Sequence, residues 1–247
     1  MKKINDVILN LYPTTKFLFV LFVLLTAFIV PGFIYQYSLL LVALVIALLA
    51  GKPTVVNLVI KGLIPIVLII FLLQIFFYPG ENVLWSWWIF EMKMEGIQFS
   101  LVLTSRILAL GSAFILYFAI TPIKDFVYSL EQMGVPPKAS YVVLSTLSII
   151  PELRRTSKTI MDAQRSRGVE TEGNLKVRAK AFLPTLSPLI LGAISGTEER
   201  VITLEARGFT VVGKKTSLHH LEKTKNDTIV RILFGLALII VIGWRFL

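Results

Sequence analysis

The sequence predicts an all-α integral membrane protein, with about five transmembrane helices and a cytoplasmic or interfacial domain of three helices. Three observations carry that prediction. Of 247 residues, 55% are hydrophobic and only 16% charged, with a mean hydropathy of +0.78; soluble domains carry about a quarter charged residues. The apolar residues fall in runs long enough to cross a bilayer core, which takes about 20 helical residues. The charge is gathered in one block: residues 1–120 hold seven basic and four acidic side chains, residues 121–228 sixteen and eleven.

Taken in order, the first elements are spans. Residues 17–30 are continuously apolar, Pro31-Gly32 interrupts them, and residues 34–50 resume the pattern. That run is too long for one crossing and suits a hairpin of two. Lys2 and Lys3 precede it as they would in a signal peptide, but no small-residue cleavage site follows, so it reads as a first span. Gly51-Lys52-Pro53 closes the second span, and a third ends at Tyr78 with its start blurred by Lys61-Gly62. Trp85, Trp87 and Trp88 in the next loop read as an interfacial belt. A fourth span covers residues 97–120 and a last one residues 229–244. The Pro31 and Trp85 loops carry no base except Lys93 and the basic segments fall on one side, which predicts a cytoplasmic N-terminus and a cytoplasmic block. The expected division is 1–122, four membrane helices; 123–227, the basic block; and 228–247, the last span.

Arg106 lies inside the fourth span. An arginine there costs about 2.5–3.5 kcal/mol on insertion scales and must face protein or water. It reads as a structural hydrogen bond to another helix; the alternative is a conducting or proton-linked site in a self-sufficient transporter or channel. Asp and Glu are absent from residues 17–78 and 97–120, which weighs against a proton relay.

The chain has no cysteine, so thiolate metal sites, disulfides and cysteine nucleophiles are excluded. His219 and His220 are adjacent in a polar segment and read as solvated surface; no metal site, catalytic constellation or cofactor is expected. Residues 208–215 approach the phosphate-binding pattern, but Lys215 stands where a magnesium-binding hydroxyl is required and the segment follows a helix rather than a strand.

Within the basic block a short helix is expected over residues 124–133, ended by Gly134-Val135-Pro136-Pro137. Two long helices follow, over 138–167 and 176–207. Each begins apolar, becomes cationic, and ends in Arg-Gly. The second is rich in small residues, among them Gly192, Ala193 and Gly196, which permit close approach of another helix. Eleven interspersed acids argue against nucleic acid or anionic lipid as the block's partner.

The Arg-Gly ends carry the functional signal. They are Ala163-Gln164-Arg165-Ser166-Arg167-Gly168 and Leu204-Glu205-Ala206-Arg207-Gly208-Phe209, with Arg167 and Arg207 forty positions apart. Glycine after the last helical residue is an ordinary stop, and arginine beside it suits the negative helix end. Two such ends, after matched helices and between such spans, resemble the paired Ala-Arg-Gly motifs of the transmembrane T component of energy-coupling factor (ECF) transporters, the EcfT/CbiQ family. Ala206-Arg207-Gly208 fits the motif fully; Ser166-Arg167-Gly168 departs at its first residue. Pro13-Thr14-Thr15-Lys16 resembles the family's Pro-Arg-x-Lys segment, with threonine in place of arginine.

The resemblance implies a non-catalytic energy-coupling subunit of an ABC importer. Ser166, Arg167, Gly168, Ala206, Arg207 and Gly208, supported by Ala163, Arg165, Glu205 and Phe209, would dock two cytoplasmic ABC ATPases. An apolar cradle including Leu144, Leu147, Leu189, Gly192, Ala193 and Gly196 would receive a small membrane protein, the S component, that binds a vitamin or transition metal. Fold and partners together imply a multi-pass protein of the cell membrane.

Overall fold

The computed structural model of the chain describes residues 2–87, 90–169, 173–211, 213 and 221–246. Trp88, Lys214, Lys215, His219 and His220 lie outside them, and with them the surface-histidine reading, the phosphate-loop reading and part of the tryptophan belt. The helices are α1 (Lys2–Leu9), α2 (Pro13–Ile29), α3 (Ile34–Leu49), α4 (Pro53–Leu58), α5 (Ile64–Phe77), α6 (Met94–Ile120), α7 (Ile123–Gln132), α8 (Pro137–Ser166), α9 (Leu175–Ala206) and α10 (Lys225–Phe246). The chain folds as two compact units, Met1–Ser129 with Leu221–Leu247, and Leu130–His220.

In the first unit, α6 packs against α2, α3 and α5, and α10 lies against α2. The reason is written along α6. Gly96, Ser100, Thr104, Leu108, Ser112, Leu116 and Ile120 recur every four residues and are buried, with Ser105, Ala109, Ala113 and Tyr117 beside them. That spacing makes a ridge that winds slowly round the helix, and its small residues let neighbours approach closely. The hydroxyls cost little there because each bonds its own helix: Thr104 Oγ1 donates to the Ser100 carbonyl at 2.6 Å, and Ser100, Ser105 and Ser112 donate to carbonyls three residues back at 2.9 Å. Against this surface pack Val20, Val23 and Leu39, and further along Ala43, Ala47 and Val55.

The third span is one apolar helix, Pro53–Phe77. Lys61 and Gly62 fall in a π-helical turn, Val59–Leu63, between α4 and α5, so the break felt in the sequence is a local rewinding rather than a helix start. Two elements depart from expectation. The N-terminal residues form a separate short helix, α1, and the segment before α6 is an antiparallel hairpin of β1 (Val83–Trp87) and β2 (Phe90–Lys93) with Trp85 opposite Met92.

In the second unit, α8 and α9 pack on one another. Arg200 of α9 donates to the Glu152 carboxylate of α8, and the Tyr141 and Phe209 rings lie 5.0 Å apart. Residue numbers fall along α9 as they rise along α8, so the two helices run in opposite directions where they touch.

Candidate functional site

The two Arg-Gly ends have the same backbone. Arg167 closes α8 with φ −89° and ψ 8°, and Arg207 closes α9 with φ −88° and ψ 6°. Gly168 and Gly208 follow with φ +86° and +70°, a conformation that glycine enters without a Cβ penalty. At the first end the Val169 N–H donates to the Gln164 carbonyl (3.1 Å) and Gly168 to Arg165 (3.0 Å); at the second, Phe209 donates to Leu204 (2.9 Å) and Gly208 to Glu205 (2.9 Å). This is the paired bonding of a Schellman stop. Ser166, the departure from the motif, leaves the geometry intact: its hydroxyl donates to the Asp162 carbonyl at 3.2 Å.

Two further helices end on the same pattern of bonds. The Lys52 N–H donates to the Ala47 carbonyl after α3, and Val135 to Leu130 after α7, with Gly51 and Gly134 at positive φ. The residues before those glycines are Ala50 and Met133. The turn therefore accepts alanine or methionine where α8 and α9 carry arginine, and the arginines are not required by the cap. Both are exposed, and among the described residues neither guanidinium has a hydrogen bond or an ion pair.

The ends are far apart. Phe209, two residues beyond Arg207, lies against Tyr141 near the start of α8, whereas Arg167 is at its close. Some 26 residues of helix separate Tyr141 from Arg167, or about 40 Å at 1.5 Å per residue. Ala163 and Arg165 at one tip, and Glu205 and Ala206 at the other, are exposed; Gly208 and Phe209 are half-buried.

Between the tips, Leu144, Leu147, Leu189, Ala193 and Gly196 are half-buried and Gly192 is exposed. A Cβ added at Gly192 or Gly196 would meet nothing within 4 Å. The close helix approach expected at Gly192 and Gly196 is thus not made among the described residues. Val142, Val143 and Ile150 on α8, and Ile190, Leu191 and Ile194 on α9, are exposed apolar side chains of the same stretches.

Sequence reasoning missed a polar knot in the first unit. Asp227, 1% exposed, accepts from the Tyr12 N–H at 2.7 Å and from the Thr224 N–H and hydroxyl at 2.8 Å each. Arg231 donates to Thr15 and Thr14 at 2.9 and 2.7 Å. Buried Lys16 donates to the carbonyls of Leu9 (2.7 Å) and Ile120 (3.0 Å). The Pro13-Thr14-Thr15-Lys16 segment thus ties α1, α2, α6 and α10 together at one end of the unit. Among the described residues Arg106 makes no hydrogen bond to another helix, against expectation: its guanidinium carbon lies 5.4 Å over the Phe28 ring, and its buried Nε has no partner there.

Comparisons with known proteins agree on one family. A family model described as cobalt transport protein, CbiQ, matches residues 5–218. Relatives named energy-coupling factor transporter transmembrane protein EcfT include one from Acidaminococcus fermentans, 30% identical over 253 aligned positions covering 97% of this chain and 92% of the relative. Another, from Staphylococcus aureus, is 30% identical and covers 92% and 88%; a third, from Limosilactobacillus fermentum, is 28% identical and covers 84% and 80%. The apolar helices and a match across most of the sequence lead to one statement: this chain belongs to the CbiQ family, as a transmembrane T component of an energy-coupling factor transporter.

Proposed function

We propose that this chain transmits the ATP-driven motion of two cytoplasmic ABC ATPases to a membrane-embedded S component, for uptake of a vitamin or a transition metal ion. The observation that carries the proposal is the pair of matched helix ends, each presenting an exposed arginine that its turn does not need, about 40 Å apart along α8. Each tip docks one ATPase. A planar guanidinium suits the task because it can pair bidentately with carboxylates or bridge carbonyls at fixed geometry. The open apolar stretches of α8 and α9, with Leu144, Leu147, Leu189, Gly192, Ala193 and Gly196, receive the S component. Lysine and arginine placement supports a cytoplasmic N-terminus and cytoplasmic tips, in the cell membrane.

The test is capture of the ATPases from membranes through the tagged chain, followed by ATP-driven uptake. Arg167→Ala and Arg207→Ala are each expected to weaken capture by about 2 kcal/mol or more, roughly thirtyfold, the usual cost of losing a desolvated charged anchor. Membrane insertion stays normal. Lysine at either position keeps the charge and loses the fork, and is expected to restore capture only in part. Full capture and uptake with either alanine variant would remove that tip from the coupling assignment.

A further inference from the structure

Arg106 is the residue that neither the fold nor the coupling function explains. It sits 12 residues from Met94 and 14 from Ile120 on α6, near the middle of a helix about 40 Å long. Residues 17–78 and 97–120 contain no Asp or Glu to neutralise it, and no described residue hydrogen-bonds it. Among the described residues its guanidinium lies over the Phe28 ring, 5.4 Å away, and Phe28 is itself 63% exposed. The Arg106 side chain is thus half-buried, with its Nε shielded and unpaired among the described residues, and it reaches from the packed helices toward an exposed ring at the unit's surface.

Its surroundings place it where a headgroup can reach. Side chains on a helix lean toward its N-terminus, so Arg106 leans toward the Met94 end of α6. Lys16 bonds the Ile120 carbonyl, which puts the start of α2 level with the end of α6. From there α2 has 17 residues and α3 has 16, about 25 Å each, short of a bilayer core of about 30 Å. Their turn is thus sunk below the Met94 end of α6, and Phe28 is in the last turn of α2. A cleft of about 450 Å³ opens at that turn, and Trp244, a residue type that favours the membrane interface, forms part of its wall. Below Phe28, α2 presents Leu25, Leu21 and Phe17, all exposed and spaced by three or four residues, hence on one face. That stripe runs about 16 Å, close to half the hydrocarbon thickness.

We propose that Arg106 binds the phosphate diester of a membrane phospholipid in the leaflet on the side of the α2–α3 turn, with an acyl chain lying along Phe28, Leu25, Leu21 and Phe17. The guanidinium supplies paired donors for the phosphate oxygens, and the lipid supplies the counter-charge that the spans lack. A free anion would satisfy the charge but would leave the adjoining apolar track unused, so the occupant is a lipid. The inference is independent of the docking of the ATPases at Arg167 and Arg207.

The test is native mass spectrometry of the delipidated full chain in detergent, titrated with phosphatidylglycerol or with a glucosyl diacylglycerol of the same acyl chains. One phosphatidylglycerol per chain is expected to bind at least about tenfold more tightly than the glycolipid, and Arg106→Gln to remove that preference. Millimolar inorganic phosphate is expected not to displace the phospholipid. Equal binding of the two lipids by the unmodified chain overturns the proposal, and this comparison decides the matter even where the variant does not fold. An undiminished preference in folded Arg106→Gln also overturns it, as does displacement by inorganic phosphate, which would make the ligand a free anion.

Discussion

Arg167 and Arg207 owe their standing to what their turns do not require. The same stop closes α3 after Ala50 and α7 after Met133, so arginine at the other two is surplus to the helix cap. The opposite lesson comes from Asp227. Its acceptor bonds reach the Tyr12 N–H, 215 residues away in the chain, and no local pattern announces such a pairing. Removing the carboxylate leaves the Tyr12 N–H and the Thr224 donors unpaired in a buried place. Asp227→Ala is accordingly expected to lose about 2–3 kcal/mol of stability, read as a lower melting temperature of the detergent-solubilised protein by tryptophan fluorescence. An unchanged melting temperature would mean that the knot does not hold α10 in place.

At the scale of elements, the helices of the second unit were legible nearly to the residue. The basic block has clear punctuation: Gly134 with Pro136-Pro137, then Gly168, then Gly208, all places where helix geometry must stop. The membrane helices were legible as apolar runs, but their mutual contacts were not, because an apolar face toward lipid and one toward protein look alike in composition. The exception is α6, whose four-residue row of small residues marks the packed side only once its partners are known. Within that row Gly96 is the tightest point: a Cβ there would sit 3.1 Å from the Gln74 and Ile75 carbonyl oxygens of α5. Gly96→Ala is expected to destabilise the α5–α6 contact by about 1–3 kcal/mol. Gly111→Ala is expected to cost less, since its Cβ would meet the methyl ends of Leu63, at 2.7 Å, and that side chain can turn away. Measuring the monodisperse fraction on heating distinguishes the two; equal tolerance would contradict the close crossing. The hairpin of β1 and β2 was hidden because tryptophans beside a span signal an interface whatever backbone carries them.

For the molecule as a whole, the resemblance that rests on two tripeptides is matched across residues 5–218 by the family model, so fold and family were both readable from sequence. The separation of the tips was not, since it depends on Phe209 folding back to Tyr141. Spin labels on introduced cysteines at positions 163 and 206, in a chain with no native cysteine, are expected to report a distance near 30 Å, because the Arg200–Glu152 and Phe209–Tyr141 contacts put residue 206 about 18 residues back from 163 along α8. A distance near half that value would bring both tips to one partner and contradict two separate docks. The central claim is that these tips are where ATPase motion enters the membrane part. Its most direct test is the double variant Arg167→Ala/Arg207→Ala, assayed for copurification of the ATPases and for ATP-driven uptake in proteoliposomes. The expected result is normal insertion with neither capture nor uptake; a double variant that copurifies with the ATPases and transports at the unmodified rate would contradict it.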